Sequence, residues 1–168
     1  MPDSSTELAA TVVERLTARG LTLATAEASV GGMIGHLITN VPGASRVFLG
    51  GIAPYARGPK IDLLHLDGDM LVAEGSVSEP AALALARGAR EVMHSDLAIA
   101  ETGVASATGN PLRPAGMYVV ALVAEGYALA QRCQFSGTRE ENKRQASEAA
   151  LQLVLDYLDS PEDSTETP

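Results

Sequence analysis

Apolar residues recur along this chain with two periods, and the alternation between them lays out a fold. Leu8, Val12, Val13 and Leu16 fall at helical spacing with Glu7, Glu14 and Arg15 on other faces, so residues 6–19 read as a first helix closed by Gly20. Residues 21–26 are a short β run that ends in the turn Glu27-Ala28-Ser29-Val30-Gly31-Gly32, after which MIGHLITNV returns to helical character. Val41-Pro42-Gly43-Ala44 is turn chemistry, and residues 47–55 (VFLGGIAPY) read as a second strand whose glycine pair marks a bulge or a close backbone approach. Residues 78–93 carry Ala82, Leu85, Ala86, Ala89 and Val92 on one helical face, with Ser78 placed as N-cap and Glu79 and Pro80 in the first turn. A third strand follows in DLAIAETG.

The pattern then changes. Residues 117–124 and 127–135 are two β runs joined by Glu125-Gly126, which predicts an antiparallel hairpin and so a mixed sheet. Thr138 and Glu141 have the spacing of a capping box for a last helix bearing Ala146, Ala149, Ala150, Leu153 and Leu158. After Leu158 the polar, acidic DSPEDSTETP has no apolar face to repay ordering, so 1–158 are expected to form one domain and 159–168 a disordered tail.

Composition adds three constraints. Hydrophobic residues make up 46% of the 168 but aromatics only 4%, a palette of Ala, Val, Leu and Ile that suits helices laid on a buried sheet. A formal charge of −9 without a Lys/Arg cluster argues against direct nucleic-acid binding. Cys133 is the one cysteine, which excludes an intramolecular disulfide, and neither a signal sequence nor a membrane-length run is visible, so a cytoplasmic protein with no membrane partner is expected.

Three polar sets could carry chemistry. In the first, Glu27 and Ser29 precede Gly31 and Gly32: Ser29 can cap the following helix, with Glu27 at its positive end, or it can act as a nucleophile if a base reaches it. The second is Tyr55 and Lys60, which follow the next strand; a buried lysine of lowered pKa is a serine's base, whereas spacing alone fits a solvated surface lysine. The third, Asp62, His65, Asp67 and Asp69, lacks the ligand pattern of an EF-hand or zinc site and reads as a solvated acidic turn. His36 and His94 have no second ligand at helical spacing, so no metal is expected.

The blocks TAEASVGG, VPGASRVFLGGIAPYARGPK, GSVSEPAALALARGAR, SDLAIAETGVA, RPAGMYVVAL and FSGTREENKRQA resemble, in order, those of the CinA C-terminal domain family, over about residues 5–158. The family includes stand-alone nicotinamide-nucleotide amidases of the PncC kind. The resemblance implies a three-layer α/β/α sandwich with a mixed sheet. It also implies an amidohydrolase that converts nicotinamide mononucleotide to nicotinic acid mononucleotide and ammonia in pyridine-nucleotide salvage, without a cofactor. A small-molecule nucleotide ligand and a homo-oligomer are the expected partners.

In that family the first motif runs Thr-Ala-Glu-Ser-Cys-Thr-Gly-Gly, with its serine as nucleophile and a tyrosine and lysine completing the site. Glu27, Gly31, Gly32, Tyr55 and Lys60 match. Ala28, however, stands at the serine and Ser29 at the cysteine, and Thr102-Gly103-Val104-Ala105 continues as Ser106-Ala107-Thr108-Gly109 instead of Gly-Pro-Gly-Gly. A one-residue shift rotates a side chain about 100° around a helix or onto the opposite face of a strand. Two functions therefore stand side by side. In the first, Ser29 is a substitute nucleophile, Lys60 its base, Tyr55 a positioning hydroxyl, and the Gly31 and Gly32 amides an oxyanion hole, with Glu27, Thr102 and Gly103 binding substrate. In the second, a non-catalytic nucleotide-binding or regulatory protein keeps the pocket, and Ser29 serves as a helix cap.

Overall fold

The computed structural model describes residues 4–105 and 110–160. Five strands form one mixed sheet: β1 (Leu23–Glu27), β2 (Phe48–Ile52), β3 (Leu97–Gly103), β4 (Met117–Ala124) and β5 (Tyr127–Gln134), in the order β2-β1-β3-β4-β5. β1 runs parallel to both β2 and β3, while β3/β4 and β4/β5 are antiparallel. Helices α1 (Ser4–Arg19), α2 (Met33–Thr39) and α6 (Arg139–Asp159) cover one face, and α3 (Arg57–Leu64), α4 (Gly68–Ala73) and α5 (Glu79–Met93) the other. This is the three-layer α/β/α sandwich expected from the sequence.

Burial explains the strand compositions. Every residue of β1 and β4 is buried, because helices cover both sheet faces there; β4 is accordingly free of the polar alternation of a half-exposed sheet, and the polar Thr25 and Glu27 of β1 bond to each other. The glycine pair of β2 serves the close approach that its sequence suggested: a Cβ on Gly51 would stand 2.3 Å from Thr25 Oγ1, and the β1/β2 register shifts at Leu23/Ala24. Ser78 caps α5 by accepting from Ala81 N, and Thr138 and Glu141 form the reciprocal capping box of α6.

Two elements go beyond the sequence reading. Residues 57–64 and 68–73 are helical, so the segment read as an acidic turn is the end of α3, a left-handed His65 (φ 58°), and Asp67 capping α4 through Asp69 N at 2.8 Å. Among the described residues no group of His, Cys, Asp or Glu could hold a metal ion, and no helix is long and apolar enough to cross a membrane. The altered loop at 106–109 and the tail beyond Ser160 lie outside the described residues.

Candidate active site

Two strands that share the pattern Leu-Ala-X-Ala-Glu build the site. β1 runs Leu-Ala-Thr-Ala-Glu and β3 begins Leu-Ala-Ile-Ala-Glu, and their parallel register sets Glu27 directly beside Glu101 at the carboxyl edge of the sheet. Both glutamates are buried. Glu101 is held by amides of the turn between β1 and α2, and Glu27 by amides of the first turn of α2. Glu27 accepts from Ile34 N at 2.8 Å and Gly35 N at 2.9 Å, and from Thr25 Oγ1 at 2.9 Å. It thereby places its charge at the positive end of α2, whose N-cap residue, Gly32, sits at φ 97° with no side-chain cap of its own. The capping expectation for Ser29 is overturned: the anion at this helix start is Glu27.

Ser29 turns instead to Glu101. Its amide donates to Glu101 Oε1 at 2.6 Å, Val30 N donates to the same oxygen at 2.8 Å, and the Ser29 hydroxyl makes a short hydrogen bond to Oε2. Burial raises the Glu101 carboxyl well above the ordinary carboxylate range, hydrogen bonds from Ser29 and Val30 offset part of that, and the neighbouring Glu27 charge adds to it. Tyr118 of β4 completes the cluster. Its buried hydroxyl lies beside Ser29 without a well-formed hydrogen bond, and burial first, then the Glu101 charge, pushes it up to about 12. The ring needs Gly103 opposite, where a Cβ would come within 2.2 Å of Tyr118 Cδ1.

A cavity of about 310 Å³ opens on this cluster, with Ser29, Tyr55, Lys60, Ser76, Thr102 and Arg139 as its polar lining. Lys60 is only 5% exposed, against the surface lysine that spacing alone suggested, because α3 turns it inward. Burial lowers its pKa, and the Glu101 charge counters part of the shift. Tyr55 stands at the mouth, 69% exposed, with Arg139 at the start of α6 donating to its hydroxyl at 3.5 Å. Thr102 is tied to the cavity wall, its hydroxyl donating to Ser76 O at 2.6 Å.

Of the residues expected at the site, Ser29, Tyr55, Lys60, Thr102 and Gly103 line this cavity, whereas Glu27, Gly31 and Gly32 do not. Ala28 and Ser29 face different layers. Ala28 joins the apolar cluster of α3 and α5 with Leu64 and Leu66, on the side from which Lys60 comes, while Ser29 meets Glu101 on the α6 side. Glu101, Tyr118, Ser76 and Arg139 were missed. For Glu101 a signal existed in the repeated Leu-Ala-X-Ala-Glu; for the others none did.

The model of the CinA C-terminal domain family matches residues 5–158. The chain belongs to that family. A CinA-like protein from Syntrophotalea carbinolica is 40% identical over 152 residues, covering 90% of this chain but 37% of its own length, so the chain spans little more than a third of that relative. The competence/damage inducible protein CihA from Agrobacterium tumefaciens superposes with a TM-score of 0.89 at 30% identity, covering 94% of this chain and 97% of that one. The competence damage-inducible protein A from Klebsiella pneumoniae reaches a TM-score of 0.91 at 26% identity, covering 95% and 100%. The fold of the CinA superfamily structures is thus present over nearly all of this chain.

Proposed function

We propose that this CinA C-terminal domain binds a nicotinamide mononucleotide-type ligand in the cavity between β1, β3 and α3 and hydrolyses its carboxamide to the acid and ammonia, with Ser29 as nucleophile. The observation that carries the reading is the Ser29 hydroxyl: it lines the cavity and is bonded to a buried carboxylate, with no capping duty to α2. Lys60 and Arg139 offer two cations to a phosphate, Tyr55 offers an exposed ring at the mouth, and the volume is that of a small-molecule site. Covering of the strand ends by helices on both faces supports a desolvated reaction centre.

A second reading, binding without turnover, is favoured by one observation. The position that aligns with the family serine carries the methyl of Ala28, on the layer where Lys60 lies. Ammonia release from nicotinamide mononucleotide by the purified chain separates the two. Release that disappears in Ser29→Ala, with ligand binding by calorimetry retained, supports hydrolysis; binding without release supports the second reading.

A further inference from the structure

Resting on Ser29 as the nucleophile, the geometry points to Glu101, and not Lys60, as the general base that takes the Ser29 hydroxyl proton. The carboxylate is fixed before any ligand arrives. Ser29 N and Val30 N, at 2.6 and 2.8 Å, both donate to Oε1, which leaves Oε2 to the Ser29 hydroxyl, and that hydrogen bond is already formed. Proton transfer along it requires no rotation of either side chain.

The surroundings suit the role. Glu101 is fully buried, and a carboxylate stripped of water holds a proton more tightly than one in solution. The groups facing it are Glu27 from β1, Lys60 from α3, and Tyr118 from β4, with Arg139 of α6 facing Tyr118. Glu27 repels the ionised form and strengthens it as a base. Lys60 attracts the ionised form and offsets part of the cost of burying its charge. Once Glu101 is neutralised by the proton, the Lys60 ammonium is left to face new negative charge on the substrate.

The step balances as follows. Ser29 Oγ bonds to the carboxamide carbon as its proton moves to Glu101 Oε2 and the carbonyl π electrons move to oxygen. Collapse of that centre breaks the C–N bond, and the leaving nitrogen takes the proton from Glu101 and departs as ammonia. Water then attacks the acyl carbon, gives its proton to Glu101, and the Ser29 oxygen leaves with it. The sum is carboxamide plus water giving acid plus ammonia.

The test uses two readouts on the intact chain. One is ammonia release from nicotinamide mononucleotide. The other is covalent labelling by an alkyl fluorophosphonate, in which the serine oxygen displaces fluoride and which needs no knowledge of the natural substrate. Mass spectrometry is expected to place the label on Ser29, with a wild-type rate that rises with pH along one ionisation. Glu101→Gln, which keeps acceptor and donor atoms for the turn, is expected to lower both readouts at least about 100-fold with nucleotide affinity retained. Glu101→Asp should recover part of the rate, and Lys60→Met should lower labelling less than Glu101→Gln. A Lys60→Met loss equal to or larger than that of Glu101→Gln, or a wild-type labelling rate flat from about pH 4 to 9, overturns Glu101 as base while leaving Ser29 as nucleophile. Hydrolysis that survives Ser29→Ala, or a wild-type label found on a residue other than Ser29, overturns the nucleophile, and the base with it.

Discussion

A glutamate on a buried strand carries a cost that valine would not, and Glu101 shows where the cost goes. Its raised pKa means that the folded chain holds a proton that the unfolded chain releases, from the ordinary value of 4.5 up to the folded one. The folded-state pKa is raised, so full stability is present below the ordinary value and is lost as pH rises through the folded value. Glu101→Gln removes that titration. It is expected to melt level with wild type below about pH 4 and progressively above it as pH rises. Thermal melts across pH check it, and a Tm difference that is constant with pH would show that Glu101 does not titrate in this range. The variant that is more stable is also the one expected to lose catalysis, a familiar trade between a strained site and a stable one. Ala28→Ser tests the other side of the turn. It adds a hydroxyl on the Lys60 layer at a site 4% exposed, and it is expected to raise ammonia release at least about tenfold by supplying a second nucleophile.

What could be read in the sequence at this scale was residue type, not direction. Ser29, Tyr55, Lys60, Thr102 and Gly103 were marked as site residues, but the sequence could not show that Ser29 turns to the α6 side while Ala28 turns to the α3 side. That division depends on the bends after Glu27 and on the parallel register that sets Glu27 beside Glu101. The register belongs to strands 74 positions apart. Glu27 itself was legible as the charge at the start of α2, because an acid just ahead of a helix meets its positive end.

Among the elements, α3 matters most to the site and was the least legible. Its eight residues, Arg-Gly-Pro-Lys-Ile-Asp-Leu-Leu, carry a glycine and a proline in the first turn and bury only Lys60 and Leu64, too few positions for a helical period to show. The α5 helix was legible throughout, since its cap, its first-turn proline and its apolar face agree. The two meet at Gly88: a Cβ there would stand 2.3 Å from Leu64 O, so α3 can lie this close only over a glycine. Gly88→Ala gains up to about 1 kcal/mol of helix propensity, but it drives a methyl into backbone that cannot rotate away, at a cost of about 1–3 kcal/mol. The clash is expected to win. Because α3 carries Lys60, the same substitution should weaken nucleotide binding more than it alters the far layer of α1 and α6. Denaturant melts and calorimetric titration measure the two effects, and a variant more stable than wild type would show that α3 yields without strain.

Over the whole molecule, charge sets how an anionic ligand arrives. The chain carries −9, while the cavity offers Lys60 and Arg139, so a phosphate-bearing ligand is repelled at long range and attracted at contact. The Debye length is about 30 Å at 0.01 M salt and about 8 Å at 0.15 M. At low salt the repulsion of the entire chain reaches the approaching ligand; at physiological salt it is cut off outside the cavity. Lys60, being buried, is screened far less than the surface acids. The association rate for nicotinamide mononucleotide is therefore expected to rise by a few-fold between these salt concentrations, with a dissociation rate changed by less than about twofold. Stopped-flow measurement of both rates decides it. An association rate that falls steeply with salt would mean that the cations at the cavity dominate the field outside it, and that the net charge of the chain plays no part in ligand capture.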